Sequence, residues 1–301
     1  MVFDVIIVGG SFAGQAAALQ LARARRRVLL VDAERPRNRF ARSSHGFLGQ
    51  DGQPPAAIIA TAVRQLAAYP TVTRLAGEAV AAFADEQGFR VSFADGRQES
   101  GRRLILATGV RDKLPELPGL APRWGISVLH CPYCHGYELD QRPLGVLASG
   151  ESAMHQALLV PDWGPTTLFT QGTFTPTPEQ RAALQSRDVA VEHTPVVELL
   201  GAGPALDAVR LSDGRSIPIS GLFLAPRTVA ASDLAEQLGC AFKDGPTGPL
   251  IEVDAMQATS VAGVFAAGDA ASPMANASLA AAAGVMAAVG SHRSLIHGDD
   301  G

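Results

Sequence analysis

The sequence contains little cysteine, few aromatic residues and no excess of positive charge. Of its 301 residues, 3 are cysteine and 6% are aromatic, and the formal net charge is -4. Three cysteines cannot build a disulfide framework for a chain of this length, which excludes the small disulfide-rich folds. The slight negative charge gives no general attraction to polyanions, so we expect no nucleic-acid partner.

Targeting and membrane-spanning patterns are also missing. Met1 leads directly into the strand-like residues 4–8, without a basic segment or a small-residue cleavage site. The longest weakly polar stretch, residues 279–290, is mostly alanine and shorter than the ~20 residues that a bilayer-spanning helix needs. These patterns predict a cytoplasmic protein that does not contact a membrane.

Hydrophobic residues make up 47% of the sequence and follow alternating strand and helix patterns. Strand-like residues 4–8 and 28–32 flank a helix rich in alanine and leucine, which predicts a βαβ unit and a parallel sheet. A second α/β cycle begins near Pro143, with strands predicted at residues 144–147 and 166–170. The predicted fold class is therefore α/β.

A glycine- and proline-rich stretch at residues 243–249 is typical of a linker. With this boundary, we predict one domain built from residues 1–113 and 244–301. Residues 114–243 are predicted to form a second domain inserted in the first.

The turn after the first strand predicts a dinucleotide-binding site, because a pyrophosphate can rest on the amides that open the following helix. Gly9 suits the tight turn and Gly14 the close approach of helix to strand. Ser11 stands where the fingerprint has its second glycine, but it is small enough to let a phosphate approach. Asp32, at the end of the second strand, is placed to accept hydrogen bonds from a ribose. An unliganded strand, turn and helix is the alternative.

Cys131 and Cys134 are two residues apart and precede His135, a spacing that can close a readily reduced disulfide. The same string occurs where c-type haem is attached, but that chemistry requires export. A structural zinc site would need four ligands, and Cys240, which we interpret as a buried apolar residue, is the only other cysteine. An inert buried pair is the third alternative. We predict a redox-active pair and no metal site.

Two further segments, residues 104–109 and 259–269, resemble the other fingerprints of two-dinucleotide-binding-domain flavoproteins. Together with the cysteine pair, they make nearly the whole chain resemble the low-molecular-weight thioredoxin reductases. The resemblance implies two Rossmann-like domains, bound FAD and a homodimer. The predicted cofactor-binding residues are Gly9, Ser11, Phe12, Ala13, Gly14, Asp32, Ala33, His45, Thr108, Gly109, Gly268, Asp269, Asn276 and Ala277.

The resemblance also implies roles around the cysteine pair. Cys134 would face the flavin, while Cys131 would exchange with substrate. The family usually has aspartate after the second cysteine, but this chain has His135, and residues 131–138 resemble the branch of dithiol oxidases that act on gliotoxin and holomycin. A histidine can carry a thiol proton near neutral pH. We therefore predict His135 as catalytic, and His130 as a second candidate for which a packing role is the alternative.

The inserted domain departs from the pattern of a nicotinamide site. Ala148 and Ser149 replace the glycines expected in its turn, and Glu151 lies near the phosphate position. No arginine or lysine follows residues 166–170 before Arg181, so a 2′-phosphate has no evident partner. We expect this domain to keep its fold without binding NADPH.

These patterns favour oxidation of thiols through the cysteine pair and FAD, with dioxygen as the electron acceptor. The substrate would be a small dithiol or a thioredoxin-like protein. One alternative is a thioredoxin reductase supplied with electrons by NADPH or by a donor such as ferredoxin. A flavoprotein redox sensor whose cysteine pair does not turn over is the alternative that is not an enzyme.

Overall fold

The computed structural model describes residues 2–298, which form both strands and helices. The first elements are β1 (Val2–Val8), α1 (Phe12–Arg23), β2 (Val28–Asp32), α2 (Pro55–Leu66), β3 (Val72–Ala76), β4 (Ala79–Asp85), β5 (Gly88–Phe93), β6 (Gln98–Leu106) and β7 (Val110–Lys113). The middle elements are β8 (Val128–Leu129), α3 (Pro132–His135), β9 (Leu144–Leu147), α4 (Ala153–Leu159), β10 (Thr166–Phe169), α5 (Pro178–Ser186), β11 (Ala190–Glu192), β12 (Val196–Leu200), β13 (Ala208–Leu211), β14 (Ser216–Pro218) and β15 (Gly221–Phe223). The last elements are β16 (Arg227–Ala230), α6 (Leu234–Gln237), β17 (Phe242–Asp244), β18 (Pro249–Ile251), β19 (Val264–Ala266) and α7 (Ala277–His297).

The chain divides into two compact units. The first unit contains the residues up to Arg39, Phe47–Asp112 and the residues from Thr228 onward, and the second contains Phe40–Gly46 and Lys113–Arg227. This division differs from the predicted boundaries in two places. The chain returns to the first unit at Thr228 and not at residue 244, and a short N-terminal segment joins the second unit.

The first unit is built on a seven-stranded sheet with the order β3-β2-β1-β6-β5-β4, in which β19 also pairs with β6. Strands β3, β2, β1, β6 and β19 run parallel, whereas β4, β5 and β6 form an antiparallel meander. The long strand β6 pairs with β5 through its first residues and with β19 through its last residues. The carboxyl ends of β1, β2, β6 and β19 therefore meet at one edge, where open α/β sheets bind ligands.

Helices α1 and α7 pack against each other on this sheet through small residues. Gly284 of α7 lies so close to α1 that a Cβ at this position would clash with the carbonyl oxygen of Ala13. Helix α7 extends beyond the alanine-rich stretch noted in the sequence. By length and composition alone it could cross a membrane, with a mean hydropathy of 1.3 over an 18-residue window of which 33% is buried.

The prediction of a linker at residues 243–249 is wrong. These residues form most of the antiparallel hairpin β17–β18, and Gly245 donates its N–H to the carbonyl of Gly248. Gly248 packs against the backbone of Thr228, and the Thr228 N–H donates to the Thr247 carbonyl over 2.8 Å. Glycine and proline favour tight turns as much as linkers, so composition alone could not separate the two.

The second unit contains a five-stranded sheet with the order β11-β10-β9-β15-β8, and every pair in it is parallel. A smaller antiparallel sheet is formed by β12, β13 and β14. The four-residue helix α3 follows β8 directly, and α4 follows β9 after a short turn. The ends of these two strands position the cysteine pair and the second α/β turn, respectively.

We expect Gly284→Ala to destabilise the protein, although alanine is the better helix former. The added Cβ must push α7 away from the Ala13 carbonyl, and overpacking of this kind costs about 1–3 kcal/mol. The thermal unfolding midpoint should therefore fall. The control is Ala282→Gly at an exposed position of the same helix, which measures the propensity contribution by itself. A higher midpoint for Gly284→Ala would contradict the packing argument.

Candidate active site

The turn between β1 and α1 is shaped by two close backbone approaches. Gly9 has a φ of +110°, and a Cβ at Gly9 would clash with the carbonyl of Ala107 beyond β6. A Cβ at Gly14 would clash with the carbonyl of Gly9. Ser11 is the N-cap residue of α1, but its side chain makes no capping hydrogen bond. The turn is thus held tightly, while the Ser11 hydroxyl leaves the first amides of α1 uncapped.

Asp32 lies directly beside this turn at the end of β2. Its carboxylate approaches Gly10 so closely that a Cβ at Gly10 would occupy the same space. Its Oδ1 accepts a hydrogen bond of 2.9 Å from the Glu34 N–H, which orients the carboxylate. Ala33 is exposed next to it. This arrangement fits the ribose-binding role predicted for Asp32.

The remaining predicted FAD residues follow β6 and β19. Gly109 has a φ of +70°, and its carbonyl accepts a hydrogen bond of 3.1 Å from the Ala231 N–H. Gly268 has a φ of +76° and lies against the Cβ of Ala13 at the start of α1. Asp269 follows it in a short 3₁₀ helix, with a side chain that is 21% exposed.

The carboxyl ends of β1, β2, β6 and β19 lie at one edge of the first unit. The structure therefore brings together there the predicted cofactor residues that end or follow these four strands. These residues are Gly9, Ser11, Phe12, Ala13, Gly14, Asp32, Ala33, Thr108, Gly109, Gly268 and Asp269. The tight glycine turn, the oriented ribose acceptor and the partly exposed second aspartate fit FAD as the group held there.

Asn276 has a structural task at the start of α7. Its Oδ1 accepts hydrogen bonds from the Ser278 N–H at 2.8 Å and from the Leu279 N–H at 3.2 Å, which makes it the N-cap of the helix. Ala277 is the first helical residue. A flavin contact by the Asn276 side chain would have to use its amide nitrogen.

Cys131 and Cys134 form a disulfide in the second unit, with their Cα atoms 5.3 Å apart. Cys131 is the N-cap residue of α3, and Pro132 occupies the first helical position, where a missing N–H costs nothing. Both cysteines are half-buried, and Tyr133 between them is 68% exposed. The pair is accessible, in contrast to the buried Cys240.

His135, predicted as the proton carrier, lies directly after the pair and is half-buried. Burial lowers the pKa of His135 below its ordinary value, and the nearby His45 acts in the same direction. The carboxylate of Glu138 acts in the opposite direction and favours the protonated form. A lowered pKa leaves the imidazole neutral at neutral pH, as a proton acceptor must be.

His45 belongs to the second unit, where the structure places it beside Glu138. Its Nε2 lies 3.4 Å from Glu138 Oε1 and 2.9 Å from the hydroxyl oxygen of Ser43. His45, Glu138 and His135 thus form one polar cluster at the disulfide helix. Sequence reasoning did not single out Glu138, although it ends the segment on which the dithiol oxidase resemblance rests.

His130 makes a ring contact through its side chain and a hydrogen bond through its backbone. Its ring lies beside that of Trp124, with centroids 6.0 Å apart. Its backbone carbonyl accepts a hydrogen bond of 2.9 Å from the amide of Gln156, a buried residue of α4. Gln156 fixes the backbone that leads into Cys131, and no sequence pattern indicated it.

In a nicotinamide-binding domain, the dinucleotide would lie at the turn between β9 and α4. In this structure, the turn is hydrogen-bonded to a side chain of α5. Glu151 Oε1 accepts a hydrogen bond of 2.7 Å from Gln180 Nε2. The same Gln180 side chain accepts from the Thr177 N–H in a capping box at the start of α5. After β10, the Gln171 side chain binds both the N–H and the carbonyl of Val196.

No group of three or more histidine, cysteine, aspartate or glutamate side chains that could hold a metal ion occurs within residues 2–298.

Comparison with known proteins identifies the family. Residues 3–284 match the model of the pyridine nucleotide-disulphide oxidoreductases. The chain is 34% identical to "Thioredoxin reductase tcpT" of Claviceps purpurea, over 89% of this chain and 86% of that protein.

Solved structures give the same result. An oxidoreductase from Agrobacterium tumefaciens is 51% identical, with a TM-score of 0.94 and coverage of 98% and 99%. The protein HlmI is 37% identical, with a TM-score of 0.91 and coverage of 99% and 94%. The predicted α/β fold of the thioredoxin reductase-like flavoproteins and the prediction of an FAD-dependent oxidoreductase are confirmed. The chain belongs to the pyridine nucleotide-disulphide oxidoreductase family.

Proposed function

We propose that this protein oxidises small dithiols to disulfides through Cys131, Cys134 and FAD, with dioxygen as the final electron acceptor. The observation that carries the proposal is the contact between Glu151 and Gln180 in the second α/β turn. This contact disfavours the binding of NADPH, which is the nucleotide that would reduce the flavin. It therefore favours electron flow from thiols to the flavin.

A pyrophosphate at this turn would meet an anionic side chain where nucleotide sites provide backbone amides. Gln180 holds the Glu151 carboxylate at the turn and is itself held by Thr177. Gln171, where the family resemblance leads us to expect the start of a basic cluster, is neutral and is bound to Val196. NADPH would therefore find repulsion at its pyrophosphate and no cation for its 2′-phosphate.

The cysteine pair can perform the thiol chemistry by itself. A substrate thiolate attacks Cys131, the bond between the two cysteines breaks, and Cys134 leaves as a thiolate. The second substrate thiol, once deprotonated, attacks the sulfur that is bonded to Cys131 and releases the substrate disulfide. Each turnover removes two electrons and two protons from one dithiol. When bound, FAD supplies a two-electron acceptor for the reduced pair and a route to dioxygen, which becomes hydrogen peroxide.

His135 is the residue that we assign to the proton transfers. It is neutral at neutral pH because burial lowers its pKa. Once His135 has taken a proton from the substrate thiol, the carboxylate of Glu138 stabilises the imidazolium.

We also propose that the protein is a cytoplasmic homodimer, on the basis of the sequence patterns and the family resemblance.

Anaerobic reduction tests the direction of electron flow. We expect dithiothreitol to bleach the visible flavin band of the holoprotein, while NADPH leaves it unchanged. In air, each disulfide formed should release one hydrogen peroxide. Cys131→Ser is the control, because dithiothreitol should then no longer reduce the flavin rapidly. Rapid bleaching of the flavin band by NADPH would contradict the proposal. So would NADPH-driven reduction of thioredoxin without release of peroxide.

The pH dependence of dithiol oxidation tests His135. Because only the neutral imidazole accepts a proton, kcat/KM should fall as the pH drops through the lowered pKa of His135. His135→Asn should remove this acidic limb and lower kcat by about 10²–10⁴-fold.

Glu138→Gln should move the acidic limb to lower pH, because it removes the charge that raises the pKa of His135. His155→Asn, the same substitution at an exposed position of α4, is the control and should leave the profile unchanged. An unaltered limb in His135→Asn would assign the proton transfer to another group.

A further inference from the structure

Arg37 occupies an unusual position in the first unit. It begins the 3₁₀ helix that follows β2, and its guanidinium bridges two carboxylates. Nε and Nη2 donate to the two carboxylate oxygens of Asp112, with 3.0 Å between Nε and Oδ2. Nη1 donates to Asp269 Oδ2 over 2.9 Å.

All three side chains are mostly removed from solvent, with exposed fractions of 18% for Arg37, 7% for Asp112 and 21% for Asp269. Burial alone would lower the pKa of Arg37, but the hydrogen bonds and charges of both carboxylates raise it above its usual value. A buried carboxylate without a partner is costly, so each aspartate depends on this cation.

The three residues come from distant parts of the chain and meet at the FAD edge. Arg37 follows the predicted ribose acceptor Asp32, Asp112 lies within β7, and Asp269 follows β19. The fork of the guanidinium on Asp112 fixes the plane of Arg37. The third donor, Nη1, then fixes the Oδ2 atom of Asp269.

We propose that Arg37, anchored by Asp112, is a positioning residue for FAD that holds the Asp269 carboxylate ready to receive a hydroxyl of the flavin ribityl chain. The inference rests on the binding of FAD at this edge. The family resemblance implies that Asp269 holds the ribityl chain of the flavin. With Oδ2 engaged by Arg37, Oδ1 would be the oxygen left to accept a ribityl hydroxyl. Arg37 also offsets the negative charge of both aspartates, which would otherwise repel the diphosphate of FAD.

The test measures FAD binding by the oxidised apoprotein, by titration of the quenching of flavin fluorescence. A hydrogen bond to a charged group contributes enough for its loss to weaken binding by about 10–100-fold, and we expect this increase in Kd for Arg37→Gln. Arg37→Lys should lose less, because an ammonium keeps the charge without the fork. Asp112→Asn should weaken FAD binding by roughly 3–10-fold, because it loosens Arg37.

The matched control is Arg35→Gln, which removes the same charge from the same loop. Arg35 pairs with Glu78 at the surface, and both side chains are exposed. We expect its Kd for FAD to stay within about twofold of wild type, since exposed ion pairs contribute little.

A double-mutant cycle separates positioning from a general effect on the loop. If Arg37 acts through Asp269, Arg37→Gln should add little to the loss of FAD affinity already caused by Asp269→Asn. Additive losses, or an Arg37→Gln affinity within about twofold of wild type, would overturn the proposal.

Circular dichroism and the melting point of each apoprotein show whether a variant folds. If Arg37→Gln does not fold, Arg37→Lys and Asp112→Asn decide the question, and wild-type affinity in both would refute the inference. The titration involves no dithiol, NADPH or dioxygen. Its result is therefore independent of whether the proposed oxidase reaction is correct.

Discussion

The close approach of the β1–α1 turn to its neighbours is the constraint on which the first unit depends. Gly9 against Ala107, Gly10 against Asp32 and Gly14 against Gly9 leave no room for a side chain at any of these three positions. This contact sets how far α1 stands from the sheet, and α1 in turn receives α7 through Gly284. Because β1, β2, β6 and β19 are parallel, it also gathers the ends of four strands around one cofactor edge.

The second unit repeats the strand, turn and helix of the first with different contacts at the turn. Strand β9 is buried and parallel to its neighbours, as β1 is, but the turn after it ends in Glu151 tied to Gln180. The unit contributes instead the disulfide after β8 and a cluster of His45, Glu138 and His135. The second unit thus combines a strand, turn and helix like those of the first unit with a half-buried disulfide.

Local patterns were sufficient to predict much of this structure. Strands at 28–32 and 144–147 have the predicted bounds, since short apolar runs between turn residues define them. The bridge made by Arg37 and the contact between His45 and Glu138 could not be predicted, because each joins residues that only the folded chain brings together. The hairpin at 242–251 was mistaken for a linker because its pairing depends on the partner strand and not on composition. The contact of Gln156 with the His130 carbonyl has no sequence signature of any kind.

The segment Phe40–Gly46 belongs to the second unit although it interrupts the first, so the chain crosses between the units at four points. Neither unit can be cut out as one continuous fragment. During synthesis, the second unit is complete once Arg227 has left the ribosome, whereas the first unit still lacks β19 and α7. The disulfide-bearing unit can therefore fold before the cofactor edge of the first unit is complete, because that edge still lacks the residues that follow β19.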